Sequence, residues 1–468
     1  MNKKSNDKLV IIISSLIQFT ATFISSMIAV SIKQIGIDLN VSIEEINWIS
    51  ILFFTALISI SLPMAKIVYK RGIRKCIIIS LFVLLLSSTM SMFSTTIEML
   101  IISRTIQGFC VAVLIVSIYM MLMNQVSEEN AGKALGIVSS FGYIGMTSAP
   151  AISGFLTHYL SWRSSFFVVD ILSIFALLLL FNLKLKWKTY DKKIDIIGSL
   201  LYFIITFMFI IGLFNLDEPG GFIFISFSII LLIIFVKYEK KKKEPVLNLS
   251  LFKIKSFLVG NYAAMITYFI TFIATYVLNI HLQLILGFQP FIVGLILLIT
   301  PIVMIVVSPF AGKLTDKYDA RLLSGIAMII LSFIIFMLCF MYYLPFYVLI
   351  ILLVLQGIGH GLFSPPNNKF VLTLLDKKYL DDTSALLSTS KEFGKTISLA
   401  IYSVVCSIFA IELTGFRELI LAAQFILFIS LILSISSTIA LFYSRYKSED
   451  HVEGDVQDFL KSMIRSRK

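Results

Sequence analysis

Apolar blocks of about 18 to 25 residues recur from Leu9 to Tyr443, with short polar turns between them. A helix rises ~1.5 Å per residue, so each block crosses a hydrocarbon layer ~30 Å thick. Backbone in lipid must satisfy its own hydrogen bonds, which makes each block a helix. The blocks fall near 9–31, 46–65, 76–94, 98–122, 134–158, 164–183, 195–215, 221–237, 256–281, 290–311, 321–342, 345–368, 385–411 and 418–443. This predicts an all-α polytopic membrane protein with fourteen spans. A composition of 58% hydrophobic and 14% charged residues exceeds what one soluble core can hide, so the lipid bilayer is part of its solvent.

The net charge of +12 would fit a nucleic-acid partner, but the cations sit between the apolar blocks, and none is expected. Clusters occur at Lys3, Lys4 and Lys8; at Lys66, Lys70, Arg71, Arg74 and Lys75; and at Lys184, Lys186, Lys188, Lys192 and Lys193. Others are Lys237 with Lys240 to Lys243, then Lys313, Lys317 and Arg321, then Lys377 and Lys378, and the tail from Arg445. An even number of spans separates each cluster from the next, so all share one side. By the positive-inside rule that side is cytoplasmic, as are both termini, in the cell membrane. Of the loop cations only Lys33, Arg163 and Arg417 fall opposite.

The first block is too long for a cleaved secretory signal. Cys76, Cys110, Cys339 and Cys406 lie in or beside apolar blocks, apart from the histidines, which argues against a disulfide framework, a metal site or any cofactor. No G-x-x-x-x-G-K-[ST] loop occurs, so a gradient must drive any transport. An enzyme would need clustered acids, histidines or metal ligands at the membrane face, and none is found.

Two short basic turns have the same shape. Ala65-Lys66-Ile67-Val68-Tyr69-Lys70-Arg71-Gly72-Ile73-Arg74-Lys75 follows the second block, and Gly312-Lys313-Leu314-Thr315-Asp316-Lys317-Tyr318-Asp319-Ala320-Arg321 follows the tenth. Arg104, Gln107 and Gly108 in the fourth block are echoed by Gln356, Gly357 and Gly359 in the twelfth. These matches align spans 1–6 with 9–14 and leave spans 7 and 8 as an insert. The predicted units are a bundle over 1–190, an insert and linker over 191–250, a bundle over 251–443 and a tail over 444–468.

With these residues in view, the chain resembles the major facilitator superfamily, specifically its fourteen-span drug:proton antiporter branch. The basic turns resemble its loop motif G-x-L-x-D-R-x-G-R-[RK], and Arg104 to Gly108 resembles R-x-x-Q-G. Gly145, Ala149, Pro150 and Gly154 resemble the antiporter motif G-x-x-x-G-P-x-x-G-G. Further echoes are Trp48, Trp162 to Phe167, Asp195-Ile196-Ile197-Gly198, Glu244 to Phe252, His281 to Pro290, and Ser364 to Asn368. The likeness covers nearly the whole chain. It implies a major facilitator fold of two six-helix bundles plus two inserted helices. It also implies proton-coupled efflux of small hydrophobic or amphiphilic compounds by a monomer.

Within that frame, Arg104 is the only charge in mid-span 4, and so costly in hydrocarbon that it should face a polar cavity or lock helices together. Gly142, Gly145, Ala149 and Ser153 line one helical face, expected as a hinge between the bundles. The gate residues are Lys66, Gly72, Arg74, Gly312, Lys313, Asp316, Lys317 and Arg321, with Asp316 placed to pair across the cytoplasmic face. Tyr69 and Asp319 depart from the loop motif, and Ile24 stands where the branch carries an aspartate in span 1. The remaining coupling candidates are Arg104, Gln107, Gly108, His360, Lys391, Glu392 and Lys395. Glu392 and Lys395 at i,i+3 form either a plain ion pair or a proton-carrying site beside a lysine that recognises an anionic group. Gln283, Gln356, Asn367 and Asn368 are the candidate cavity-lining amides. Outside the acids Asp217, Glu218 and Glu412, the external loops carry little information. The missing acid and the lysines of span 13 leave open an exporter of one endogenous, lipid-like or anionic metabolite. A non-transporting sensor would require a larger soluble domain than Arg445 to Lys468.

Overall fold

The computed structural model describes residues 3–41, 43–182, 194–216, 219–242, 244–412 and 420–443. Lys184, Lys186, Lys188, Lys192, Lys193, Lys243, Asp217, Glu218, Arg417 and the tail from Arg445 lie outside the described residues. So do the side chains of Lys3, Lys4, Lys33, Cys406 and Glu412. Among the described residues there is no strand. The long helices are α1 Lys3–Ser26, α2 Ile43–Arg71, α3 Ile73–Met92, α4 Ile97–Gln125, α5 Ala131–Tyr159, α6 Ser164–Asn182 and α7 Ile196–Phe214. They continue with α8 Pro219–Glu239, α9 Lys255–Ile280, α10 in two segments Pro290–Leu297 and Ile299–Thr315, α11 Ala320–Leu338, α12 Phe346–Thr373 and α13 Leu380–Glu412. The last, α14, is Ile420–Tyr443.

Among the described residues, thirteen of these helices are long and apolar enough to cross a membrane. The other is α13, of 33 residues, which carries Asp381, Asp382, Lys391, Glu392 and Lys395 in its first half. Side-chain oxygens of Thr96, Asp195 and Asp319 cap α4, α7 and α11 by accepting from backbone N–H groups of their first turns.

The second block, expected over 46–65, is a longer helix. Ala65, Val68 and Tyr69 continue its buried face, so Lys66, Lys70 and Arg71 are helical and not part of a loop. The break falls at Gly72, whose φ of 97° suits glycine. The first block, expected over 9–31, ends as a helix at Ser26, followed by a 3₁₀ turn over Met27–Val30 and a short helix over Ile32–Leu39.

Packing repeats at a shift of eight helices. α2 lies on α4, α1 on α5 and α3 on α4; likewise α10 lies on α12, α9 on α13 and α11 on α12. The two sets meet where α5 packs on α10 and α2 on α13. Buried apolar side chains form two clusters, one centred on α1–α6 and one on α9–α14. The α7–α8 hairpin leans on α2. The most apolar stretch of α4 is 89% buried and that of α8 is 17% buried. α4 is therefore central, and α8 turns Phe222, Ile223, Phe227 and Ile230 toward lipid.

Candidate functional site: a buried lysine where two helix sets meet

Lys391 lies about 16 Å along α13 from Leu380, well inside the helix. It is 4% exposed. Its ammonium donates to the Tyr119 hydroxyl of α4 at 2.8 Å and to Asn368 Oδ1 of α12 at 2.6 Å. The rings of Tyr119 and Tyr268 lie 5.0 and 5.5 Å from Nζ, within cation–π range. One turn on, Lys395 pairs with Glu392 at 2.7 Å and also sits over Tyr268. Among the described residues no ion pair is formed by Lys391, so two ammoniums face one carboxylate. His360 bonds Thr271 of α9 through Nδ1 at 3.1 Å and meets Tyr143 and Tyr268 edge-on. The junction thus joins α4 and α5 to α9, α12 and α13.

Arg104 is 1% exposed and locks helices together instead of facing a cavity. It donates to the Ile24 carbonyl of α1 at 3.2 Å and to Gln107 Oε1 at 2.8 Å, and lies over the Phe53 ring at 4.1 Å. Gln107 continues the chain to Ser91 Oγ at 2.9 Å and the Ser87 carbonyl. In the second set Gln356 donates to the Thr271 carbonyl at 3.2 Å, and its Oε1 faces Thr300 Oγ1 at 3.5 Å. A Cβ on Gly108 would lie 2.3 Å from the Phe53 carbonyl oxygen, and one on Gly357 2.6 Å from that of Thr300. Each glycine lets its helix touch the backbone of a neighbour.

The two sets also fasten at the end that carries the basic turns. Asp316 accepts from the backbone N–H of Gly132 and of Lys133, both at 2.9 Å, at the start of α5, where helix dipole and free N–H groups favour an anion. Lys369 of α12 pairs with it at 2.7 Å. In the first copy the charges are reversed. Lys66 of α2 supplies the cation, pairing with Asp381 at 3.1 Å and Asp382 at 2.5 Å in the first turn of α13. Tyr69, at the position matching Asp316, donates its hydroxyl to the Lys377 carbonyl at 2.6 Å. Arg74 turns away to the carbonyls of Leu180 and Phe181 that end α6. Lys313 lies over Phe310 and Arg321 over Phe370. Lys317 follows α10 in the turn before Asp319.

The small face of α5 is not the seam between the sets. A Cβ on Gly145 would meet Thr22 Oγ1 at 2.4 Å and the Phe19 carbonyl at 2.5 Å, both in α1, and one on Gly142 would meet Gln18. The crossing is made by Gly132, Gly136 and Ser140, which touch Gly312, Ser308 and Ile305 of α10. Ala149 is buried beside the intrahelical Pro150, and Gly154 has open space at its Cβ position. Gln283 bonds Asn279 at the far end of α9, away from the junction. Asn367 is buried and donates to the Gly260 carbonyl at 3.2 Å, so only its neighbour Asn368 reaches Lys391. Sequence reasoning did not pick Tyr119, Tyr268, Lys369, Asp381 or Asp382. For the last two a signal existed, because acids opening a helix favour its N-terminus.

Membrane-spanning helices in two packed sets, joined by a buried polar junction, define an integral membrane transporter. The chain belongs to the Major Facilitator Superfamily, whose family model matches residues 14–251 and 261–467. It is 26% identical over 412 residues to the riboflavin transporter RibZ of Clostridioides difficile, covering 87% of this chain and 89% of that protein. It is 22% identical over 415 residues to the methylenomycin A resistance protein of Bacillus subtilis, covering 87% and 89% respectively. The fold matches that of the proton:xylose symporter XylE with a TM-score of 0.69 at 13% identity, over 94% of this chain and 96% of that one.

Proposed function

We propose that this transporter exports small hydrophobic or amphiphilic compounds from the cell as a monomer, in exchange for protons. The basic face and both termini lie in the cytoplasm. Two six-helix units, 1–190 and 251–443, rock about the substrate, and the insert of 191–250 joins them. The observation that carries this reading is Lys391, a buried cation that ties Tyr119 of one set to Asn368 of the other. Rocking must break those bonds, so whatever binds there governs the exchange between states. Glu392 carries the coupling proton. Its protonation releases Lys395 and raises the net charge of the cluster, and its deprotonation restores the pair. The likeness to a methylenomycin A resistance protein supports an export direction.

A second reading has support in the same place. Among the described residues Lys391 is bonded by neutral oxygens and aromatic faces, an environment that suits a substrate with an anionic or acceptor-rich group. The likeness to a riboflavin transporter supports a single acceptor-rich metabolite as substrate. Uptake into inverted membrane vesicles separates the readings. A lipophilic cation, a lipophilic anion and a neutral compound are compared with the pH gradient imposed and then collapsed. Gradient-dependent uptake of several compounds supports broad export, and uptake of the anion alone supports the second reading. Indifference of all three to the gradient rejects proton exchange.

A further inference from the structure

Two stretches play no part in the junction or the gate: Asp195-Ile196-Ile197-Gly198 at the start of α7, and Glu244 to Phe252 after α8. The fold brings them together. Asp195 Oδ1 accepts from the Gly198 N–H at 3.1 Å and the Tyr238 hydroxyl at 2.9 Å. Glu239, the last residue of α8, accepts from the Leu247 N–H at 3.3 Å through Oε2, and the Val246 backbone N–H also acts on its carboxyl. The two remaining oxygens, Asp195 Oδ2 and Glu239 Oε1, are buried without a hydrogen-bond partner. Both point at one place. A Cβ on Gly198 would lie 2.4 Å from Glu239 Oε1 and 2.8 Å from Asp195 Oδ2, with a methyl of Val246 at 3.1 Å closing the site. Glu239 is 2% exposed, and the Asp195 side chain is 8% exposed.

Two buried carboxylates whose oxygens converge on the Gly198 position repel unless a cation lies between them. A hard metal ion there would find two free carboxylate oxygens where it needs about six oxygen ligands. Among the described residues no group of three metal-ligating side chains occurs. A proton needs only two oxygens.

We propose that Asp195 and Glu239 bind one proton between them, in an acid–carboxylate hydrogen bond that clasps the α7–α8 hairpin and its linker beside the gate lysine. The other charged or titratable groups facing the pair are Lys242, 3.9 Å from Asp195 Oδ1; Tyr238; and Lys66 of α2, which Glu239 feels electrostatically. Lys66 is held in turn by Asp381 and Asp382. Loss of the proton puts a second negative charge near Lys66, which competes with Asp381 and Asp382 for it. Deprotonation therefore loosens the closure of the basic face. This site does not depend on the nature of the transported compound.

Infrared difference titration of the purified full-length protein tests the site. The wild type should keep a carboxylic-acid C=O band at neutral pH that disappears in Glu239→Gln or in Asp195→Asn. Reaction of a thiol reagent with Ser384→Cys, in a background with the native cysteines replaced, reads the closure. Reactivity should rise with pH by up to about tenfold per unit. It should stay low and flat in Glu239→Gln, whose amide can donate to Asp195 at every pH, and lose its pH dependence in Glu239→Ala, which cannot supply the second negative charge. A band unchanged by both conservative substitutions, or the same pH profile in wild type and Glu239→Gln, overturns the proposal.

Discussion

The guanidinium of Arg104 donates to the backbone carbonyl of Ile24, 3.2 Å away, at the position where the resembling branch carries an acid. A main-chain oxygen, the Gln107 amide and the Phe53 ring thus do the work of a carboxylate in holding this cation. Replacing Arg104 by alanine leaves the Ile24 carbonyl and Gln107 Oε1 buried without their donor. Each such orphan costs about 1–3 kcal/mol. We predict a clear fall in thermal stability in detergent for Arg104→Ala, with Arg104→Lys between it and the wild type. Equal melting of Arg104→Ala and wild type would contradict the clamp.

Lys66 pairs with both Asp381 and Asp382, so Lys66→Met removes a cation that two buried acids share. Breaking one partner out of a buried pair costs about 3–5 kcal/mol. The cost falls on the state closed at the basic face. A thiol reagent added to inverted vesicles should therefore label Ser384→Cys much faster in the Lys66→Met background. Unchanged labelling would show that the triad does not hold the gate.

The glycines of α5 separate packing from resemblance. Gly145→Ala places a methyl 2.4 Å from Thr22 Oγ1 and 2.5 Å from the Phe19 carbonyl, and overpacking of this kind costs about 1–3 kcal/mol. Gly154→Ala meets nothing within 4 Å. Melting temperatures should fall for the first and hold or rise for the second, although both residues match the same motif.

On the face away from the basic turns, Asp38 accepts from Arg163 and from the Trp162 indole at 3.0 Å. The Arg163 hydrogen bond, followed by that of Trp162, holds its carboxyl below the usual range. A depressed carboxylate stabilises the fold above its unfolded pKa of ~3.9, and that contribution is lost as pH falls through the folded value. The side chain is 40% exposed, so the effect is screened and small. The melting difference between wild type and Asp38→Asn should be constant at neutral pH and shrink below about pH 4. A difference that grows on acidification would contradict the assignment.

The spans were legible because hydrocarbon thickness sets a length that any apolar block must meet. α13 was legible from the apolar run in its second half, although five of its charges lie in its first half. Helix ends were less so, because the stem of Lys66 packs like an apolar residue and its partners lie in another helix. Neighbouring residues on a helix point about 100° apart, so adjacent positions meet different partners. Gly142 and Gly145 face α1, while Tyr143 faces His360 across the seam. Asn368 reaches Lys391, while Asn367 turns to Gly260. The Lys391–Tyr119 contact joins residues 272 positions apart, which no local pattern encodes.

The central claim is that a proton on Glu392 drives movement through the Lys391 junction. The direct measurement compares wild type and Glu392→Gln in inverted vesicles, reading gradient-driven accumulation and gradient-free exchange of the same labelled compound. The account predicts that Glu392→Gln keeps exchange and loses accumulation, because the junction still opens but no longer senses protons. Accumulation at the wild-type level in Glu392→Gln would contradict it.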